Sequence, residues 1–291
     1  MRRKIIELGN NCMVMSLPIK WIKKNNLKKG LELDVKENGN ELTVSSIERE
    51  KKPSEIEIWI KDVRESAART VIVNAYRIGY DKIIVHYPGN KNDLIEIANN
   101  HLLGFELFDK DKNIYTIENV SEPTYDKFEK IIKKMFVIIL EILKDIENKE
   151  LKYNVTRVQK YDNFLKRCIS KGMIYVKAEP FYWQFLSNMA HIARECYHLN
   201  TYLQKTPLTG KEKNIIKEIV NMFNILQEGY LTKDIDILME LHEMEQRIVY
   251  DKRKELLKDD PVIGHYLISI ARLIYVANSP LVGVLQLSNM E

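Results

Sequence analysis

Residues 124–291 carry the feature that most narrows what this chain can fold into: apolar stripes at helical spacing, interrupted only by a few prolines and glycines. Phe185, Met189, Ile192, Cys196, Leu199 and Leu203 recur at alternating steps of four and three, which lines one face of a helix with apolar side chains. Phe128, Met135, Ile139, Ile142 and Ile146 form a second stripe. Pro180, Pro207, Gly210, Gly229 and Pro261 mark joints, and the pattern predicts helices over 124–149, 153–172, 180–205, 210–229, 233–257 and 261–288. Short joints between striped helices force antiparallel packing. The expectation is a six-helix bundle dividing into two three-helix halves.

The rest of the chain has a different texture. Between Ser54 and Val120, Ile56, Ile58 and Ile60 alternate as a strand, and Val63–Ile78 has helical spacing ending at Gly79. Lys82–His86 reads as a strand and Asp93–Leu103 as a helix closed by Gly104. Phe105–Phe108 and Ile114–Ile117 flank a turn, which completes a small α/β segment over 54–120. Glu48 to Pro53 is a hydrophilic linker. Before it, Met13–Leu17 is strand-like and meets Pro18, which lacks an N–H but suits a first helical turn. The next turns set Ile19, Ile22 and Leu27 to face inward and Lys20, Lys23 and Lys24 outward. Leu31, Leu33 and Val35 alternate as a strand, Asn38-Gly39-Asn40 is a turn, and Leu42 and Val44 alternate again. A module of 1–47 is too small to close a comfortable core alone. The fold class expected is α+β, mainly α, with domains at 1–47, 54–120 and 124–291.

Charge distinguishes the opening module. Residues 1–52 hold 12 Lys/Arg against 7 Asp/Glu, leaving 33 against 34 for the remainder. A local positive excess points to an acidic partner such as nucleic acid. Cys12, Cys168 and Cys196 lack Cys-x-x-Cys spacing, which fits a reducing cytoplasm and argues against a cysteine metal site. No apolar stretch is expected to approach the roughly 18 residues of a membrane span, the longest run being Met135–Leu140, and the start turns polar too soon for a signal peptide. The expected location is therefore cytoplasmic.

Arg3-Lys4-x-x-Glu7-Leu8-Gly9, Ser16-Leu17-Pro18-Ile19, Ile22-Lys23-Lys24 and Leu27-Lys28-Lys29-Gly30-x-Glu32-Leu33-x-Val35 together resemble the AbrB/SpoVT/MazE swapped-hairpin family. That resemblance implies two modules interlaced into one dimeric β-barrel that binds double-stranded DNA through basic residues. Ala75-Tyr76-x-x-Gly79-Tyr80-Asp81-x-Ile83, Leu103-Gly104-Phe105-Glu106 and Asp162-Asn163-Phe164-x-x-x-Cys168 resemble archaeal PhoU-like phosphate-uptake regulators that carry such a head. This second resemblance implies a regulator of phosphate transport or of phosphate-responsive genes rather than an enzyme.

The candidate DNA-binding residues are Arg2, Arg3, Lys4, Lys20, Lys23 and Lys24, doubled across a two-fold axis in a homodimer. The metal clusters of PhoU proteins do not carry over, because Ala190 and Arg194 stand where the third helix would need carboxylates, and 261–290 contains no carboxylate. His191, Glu195 and His198, at i, i+4 and i+7, are the one substitute constellation for zinc, against a plain reading as a polar flank beside Arg194. His242 with Glu245 or Gln246 is a weaker pair. No phosphate loop, G-x-S-x-G or paired nucleophile motif occurs, so no catalytic residue and no cofactor is expected. The leading expectation is a DNA-binding transcriptional regulator of phosphate homeostasis. The alternative is an adaptor that docks on a phosphate-transporter subunit or a signalling kinase and uses its head only to dimerise. An antitoxin shares the head, but a folded bundle in place of a short disordered tail speaks against that role.

Overall fold

The computed structural model describes residues 3–9, 12–38, 41–46, 54–121, 127–172 and 178–288. The chain is mainly helical with small sheets, and it divides into two compact units, Met1–Lys52 and Pro53–Glu291. The expected linker at 48–53 lies outside the described residues.

In the first unit, β1 (Ile5–Glu7) pairs antiparallel with β2 (Met13–Met15) in the register Ile5↔Met15. Gly9 supplies a φ of +73° in the connection. Pro18, at φ −65°, sets the entry to α1 (Ile19–Lys24), and its carbonyl accepts from the N–H groups of Trp21 and Ile22 at 2.9 and 3.1 Å. At the other end the Asn25 side chain donates to the Trp21 carbonyl at 2.8 Å. β3 (Leu33–Asn38) and β4 (Glu41–Ser46) form a second antiparallel pair. Gly39 and Asn40 of the expected turn lie outside the described residues. The sequence pattern marked no strand at Ile5–Glu7, because Ile5 and Ile6 are both apolar and do not alternate.

Among the residues of this unit whose exposure is described, none is buried. Ile5, Leu8, Met13, Leu31, Val35 and Leu42 are all more than half exposed. Ile19, expected to face inward, is 62% exposed. The alternation supplies apolar faces that one copy of the module leaves uncovered. The chain itself shows two separate two-stranded sheets and no closed barrel among the described residues.

The second unit opens with β5 (Glu55–Trp59), α2 (Glu65–Ile78), β6 (Lys82–His86), α3 (Lys91–His101), β7 (Phe105–Asp111) and β8 (Ile114–Asn119). Its sheet runs β5-β6-β8-β7, with β5 and β6 parallel and the other neighbours antiparallel. The crossover helix α2 ends at Gly79, whose φ of +114° is one that glycine alone adopts cheaply. Ile83, Val85 and Ile117 from the sheet pack on Ala68, Ile72 and Tyr76 of α2 and on Leu94 and Ile97 of α3.

Helices α4 (Phe128–Lys144), α5 (Leu151–Ser170), α6 (Glu179–Leu203) and α7 (Gly210–Thr232) follow the stripes closely. Thr209 and Glu212 form a reciprocal capping box at the start of α7. The fifth expected helix is not continuous. It divides into α8 (Ile235–Glu245), a π turn over Gln246–Asp251, and α9 (Arg253–Asp259). The i→i−5 bond from Lys252 N–H to the Arg247 carbonyl, at 3.0 Å, marks the wide turn.

The last helix, α10 (Pro261–Ser288), packs against α6, α7, α8 and α9. By length and composition Pro261–Leu287 is apolar enough to cross a membrane, although 56% of its most apolar window is buried within the chain. This corrects the expectation that no apolar stretch approaches a span's length: His265, Arg272 and Asn278 punctuate the sequence without making it polar on average. Its Leu267, Ile270, Ala271, Ile274 and Leu281 are fully buried, the pattern of a core helix.

The α/β segment and the helices share one unit because α2 and α3 both pack on α5. Arg167 of α5 is fully buried, with its guanidinium 5.0 Å from the ring centre of Tyr76 and 4.8 Å from that of Phe105. It donates to the carbonyls of Tyr76 and Tyr80 at 3.0 and 2.8 Å and to Asp81 at 2.6 Å. Lys171 donates to the same Asp81 oxygen at 2.6 Å. The cations at the C-terminal end of α2 suit its partial negative charge.

Candidate functional site

The opening unit places five of the six candidate DNA-binding residues in solvent. Arg3 and Lys4 precede β1, and Lys20, Lys23 and Lys24 lie on α1, all exposed. Arg2 lies outside the described residues. No carboxylate is paired with any of these five among the described residues. A lysine with no protein partner is available to a phosphate, and such contacts are favourable through released counterions. Trp21 of α1 is half-buried.

His191, Glu195 and His198 are not brought together as a metal site, and among the described residues no three His, Cys, Asp or Glu side chains stand close enough to hold an ion. His191 and His198 are exposed, and the His198 ring stacks over Tyr266 with centroids 6.4 Å apart. Partial desolvation of the ring, with Arg194 and Lys166 nearby, lowers the His191 pKa from its usual value. The weaker pair dissolves as well: His242 Nδ1 meets the Tyr275 hydroxyl at 3.2 Å, while Glu245 is buried and paired with Arg272.

A site that the sequence did not reveal lies within the second unit. A cleft of about 820 Å³ runs between α2 and α3 on one side and α5 and α6 on the other. α2 contributes Glu65, Arg69, Asn74 and Arg77. α3 adds Asp93, Glu96 and His101; α5 adds Lys152, Gln159, Asp162 and Asn163; α6 adds Arg194 and His198.

Most of the acids here are already engaged. Glu65 faces Arg69 at 3.6 Å, and Asp93 accepts from the Tyr87 hydroxyl at 2.8 Å. Asp162, buried at the base, is held by Arg77 at 3.0 Å and Lys166 at 2.7 Å. Arg77 also donates to Asn163 at 2.9 Å, and Asn163 in turn donates to the His101 carbonyl at 2.9 Å. Burial raises the Asp162 pKa and lowers that of Lys166, with both cations pulling Asp162 the other way. His101 is driven down to about 4, first by burial and then by the charges of Arg69, Arg77 and Lys160. The base of the cleft thus joins Asp162 to Arg77 and Lys166, and the charged form of His101 is disfavoured there.

Comparison with protein-family models, curated proteins and solved structures returns no match for this chain. Its chemistry has to be read from its own residues.

Proposed function

We propose that this protein is a cytoplasmic, dimeric, DNA-binding transcriptional regulator of phosphate uptake, with a swapped-hairpin head and a six-helix PhoU-like body in two three-helix halves. The observation that carries the reading is the first unit itself. Arg3, Lys4, Lys20, Lys23 and Lys24 face solvent with no carboxylate partner among the described residues, beside apolar strand residues that the same chain leaves uncovered. A second copy would cover those faces and set two sets of cations across a two-fold axis, the symmetry of a palindromic duplex site. The phosphate part rests on the resemblance of 75–83, 103–106 and 162–168 to PhoU-like regulators.

Dimerisation has a direct check. Val35 and Leu42 are 59% and 64% exposed, so Val35→Asp with Leu42→Asp should turn a sedimenting dimer into a monomer while the helical circular dichroism of the second unit is kept. A wild-type protein that sediments as a monomer at micromolar concentration would sink the interlaced head.

The DNA reading is tested through salt. Duplex affinity should fall steeply with ionic strength, and Lys23→Ala with Lys24→Ala removes up to four phosphate contacts per dimer. The log–log salt slope should then flatten by up to about 3.6. Lys133→Ala with Lys134→Ala, exposed on α4, should leave the slope unchanged. If the α4 variant loses DNA and the head variant does not, the interface is elsewhere. Absence of DNA binding at low salt, with co-purifying transporter or kinase subunits, favours the adaptor.

A further inference from the structure

We infer that the free edge of β5 pairs with the same edge of a second copy, joining two four-stranded sheets into one across a two-fold axis at Trp59. The pairing adds a second contact to the dimer proposed above, and it rests on that reading only for the tether that brings two copies together.

The two edges of this sheet differ. At β7 the ladder slips between Asp109 and Asp111, and the run Asp109-Lys110-Asp111 crowds charge onto the strand, the usual guard against edge-to-edge association. β5 keeps an unbroken register from Glu55↔Lys82 to Trp59↔His86. The Ser54 carbonyl accepts from the Lys82 N–H at 3.1 Å, and the Ile60 N–H donates to the His86 carbonyl at 2.9 Å. Even-numbered residues of β5 therefore turn their backbone groups toward β6, and Glu55, Glu57 and Trp59 turn theirs away. No strand pairs with that side among the described residues. Trp59 is 65% exposed, yet its ring is held: it stacks on His86 with centroids 4.9 Å apart and planes within 12°, and His86 Nε2 meets Glu57 at 2.7 Å. A fixed, exposed indole is the kind of anchor on which protein interfaces are built.

The charges along the edge select the occupant. Antiparallel pairing about Glu57 sets that carboxylate against its own copy and is unfavourable. Pairing about Ile58 brings Glu57 against Trp59 and separates the two rings. Pairing about Trp59 sets indole against indole, and Glu57 against the partner's Lys61, a position exposed just beyond the strand. Glu57 thus guards the edge in one register, and Lys61 turns it into an attraction in another.

Amide exchange followed by NMR on the full-length protein tests the edge. In the pair, the N–H groups of Glu57 and Trp59 should exchange at least about tenfold more slowly than those of a lone exposed strand. Glu57→Lys sets lysine against lysine and should abolish that protection, as should Lys61→Glu. The two together should restore it, although the swapped protein still lacks the Glu57–His86 contact. Trp59→Cys, made with Cys12→Ser because Cys12 is exposed, should form a disulfide between copies on mild oxidation, since directly opposed residues about 5.5 Å apart at Cα can be bridged. Phe108→Cys, on the guarded edge, should not. Free exchange at both amides in a protein that sediments as a dimer overturns the edge and leaves the head reading intact, whereas a monomeric wild type overturns both. Protection without a cross-link gives the edge to another segment of the chain, and failure of the charge swap to rescue gives a different register; either overturns the pairing. A cross-link that still forms with Val35→Asp and Leu42→Asp upholds the edge and shows that it needs no tether.

Discussion

Arg167→Met should lower the unfolding free energy of the second unit by about 3 kcal/mol, the cost typical of removing one partner from a buried ionic contact. The guanidinium has no exposed surface and joins three acceptors on the α/β segment to α5. Its loss is not total abandonment of those acceptors. Asp81 keeps Lys171 at 2.6 Å, and the Tyr76 carbonyl still accepts from the Gly79 N–H at 3.1 Å. The Tyr80 carbonyl and the stacking over Tyr76 and Phe105 account for much of the expected loss. Lysine cannot fork to these positions, so Arg167→Lys should recover only part of it. In a double-mutant cycle, Arg167→Met and Asp81→Asn together should cost less than the two separately, since they share one contact. Denaturant melts of the four proteins decide the matter. A loss below about 1 kcal/mol for Arg167→Met would show that the junction is held by α2–α5 packing alone.

Phe136→Ala is expected to cost about 3–5 kcal/mol, the range for truncating a fully buried phenylalanine. The ring sits at the meeting point of three helices, with centroids 5.9 Å from Phe185, 5.7 Å from Phe223 and 5.2 Å from Tyr230. None of these neighbours can swing in without leaving a gap elsewhere, because Phe185 and Phe223 are themselves fully buried. For a unit of this size the melting temperature should fall by on the order of 10 °C. Phe136→Leu leaves a smaller void and should lose roughly half as much. Equal losses for Leu and Ala would mean that ring geometry, not filled volume, carries the stability.

Much of the architecture could be read from spacing. The strand expected at Lys82–His86 is β6, and Val63–Ile78 overlaps α2 to its last residue. Local signals suffice there: alternation, helical stripes and a glycine where φ turns positive. What spacing could not show falls into two kinds. One is structure without punctuation. The break at Gln246–Asp251 contains neither glycine nor proline, because a π turn widens the helix without ending it. The other is contact across distance. Arg167 and Asp81 stand 86 positions apart, as do Arg77 and Asn163, and nothing in either neighbourhood names the other. The resembling motifs around Tyr76–Asp81 and Asp162–Cys168 held the residues of this junction, but not the fact that they meet. The cleft was hidden for the same reason: four helices each supply an ordinary polar face. For the head, the exposed lysines on α1 were legible from their spacing, while the inward position given to Ile19 was not reached within one copy.

The central placement of α10 has a consequence for how the protein is made. α10 follows in chain order every helix it packs against, α6, α7, α8 and α9. Until 261–288 has been added and has docked, the earlier helices lack the residues Leu267, Ile270, Ile274 and Leu281 that complete their core. At about 5–20 residues per second that interval lasts on the order of seconds, longer than the collapse of the earlier helices takes. During it the nascent chain presents both an unfinished core and a trailing segment apolar enough to be read as a membrane span. Until α10 docks, the apolar surface that it buries in the finished fold stays open to solvent.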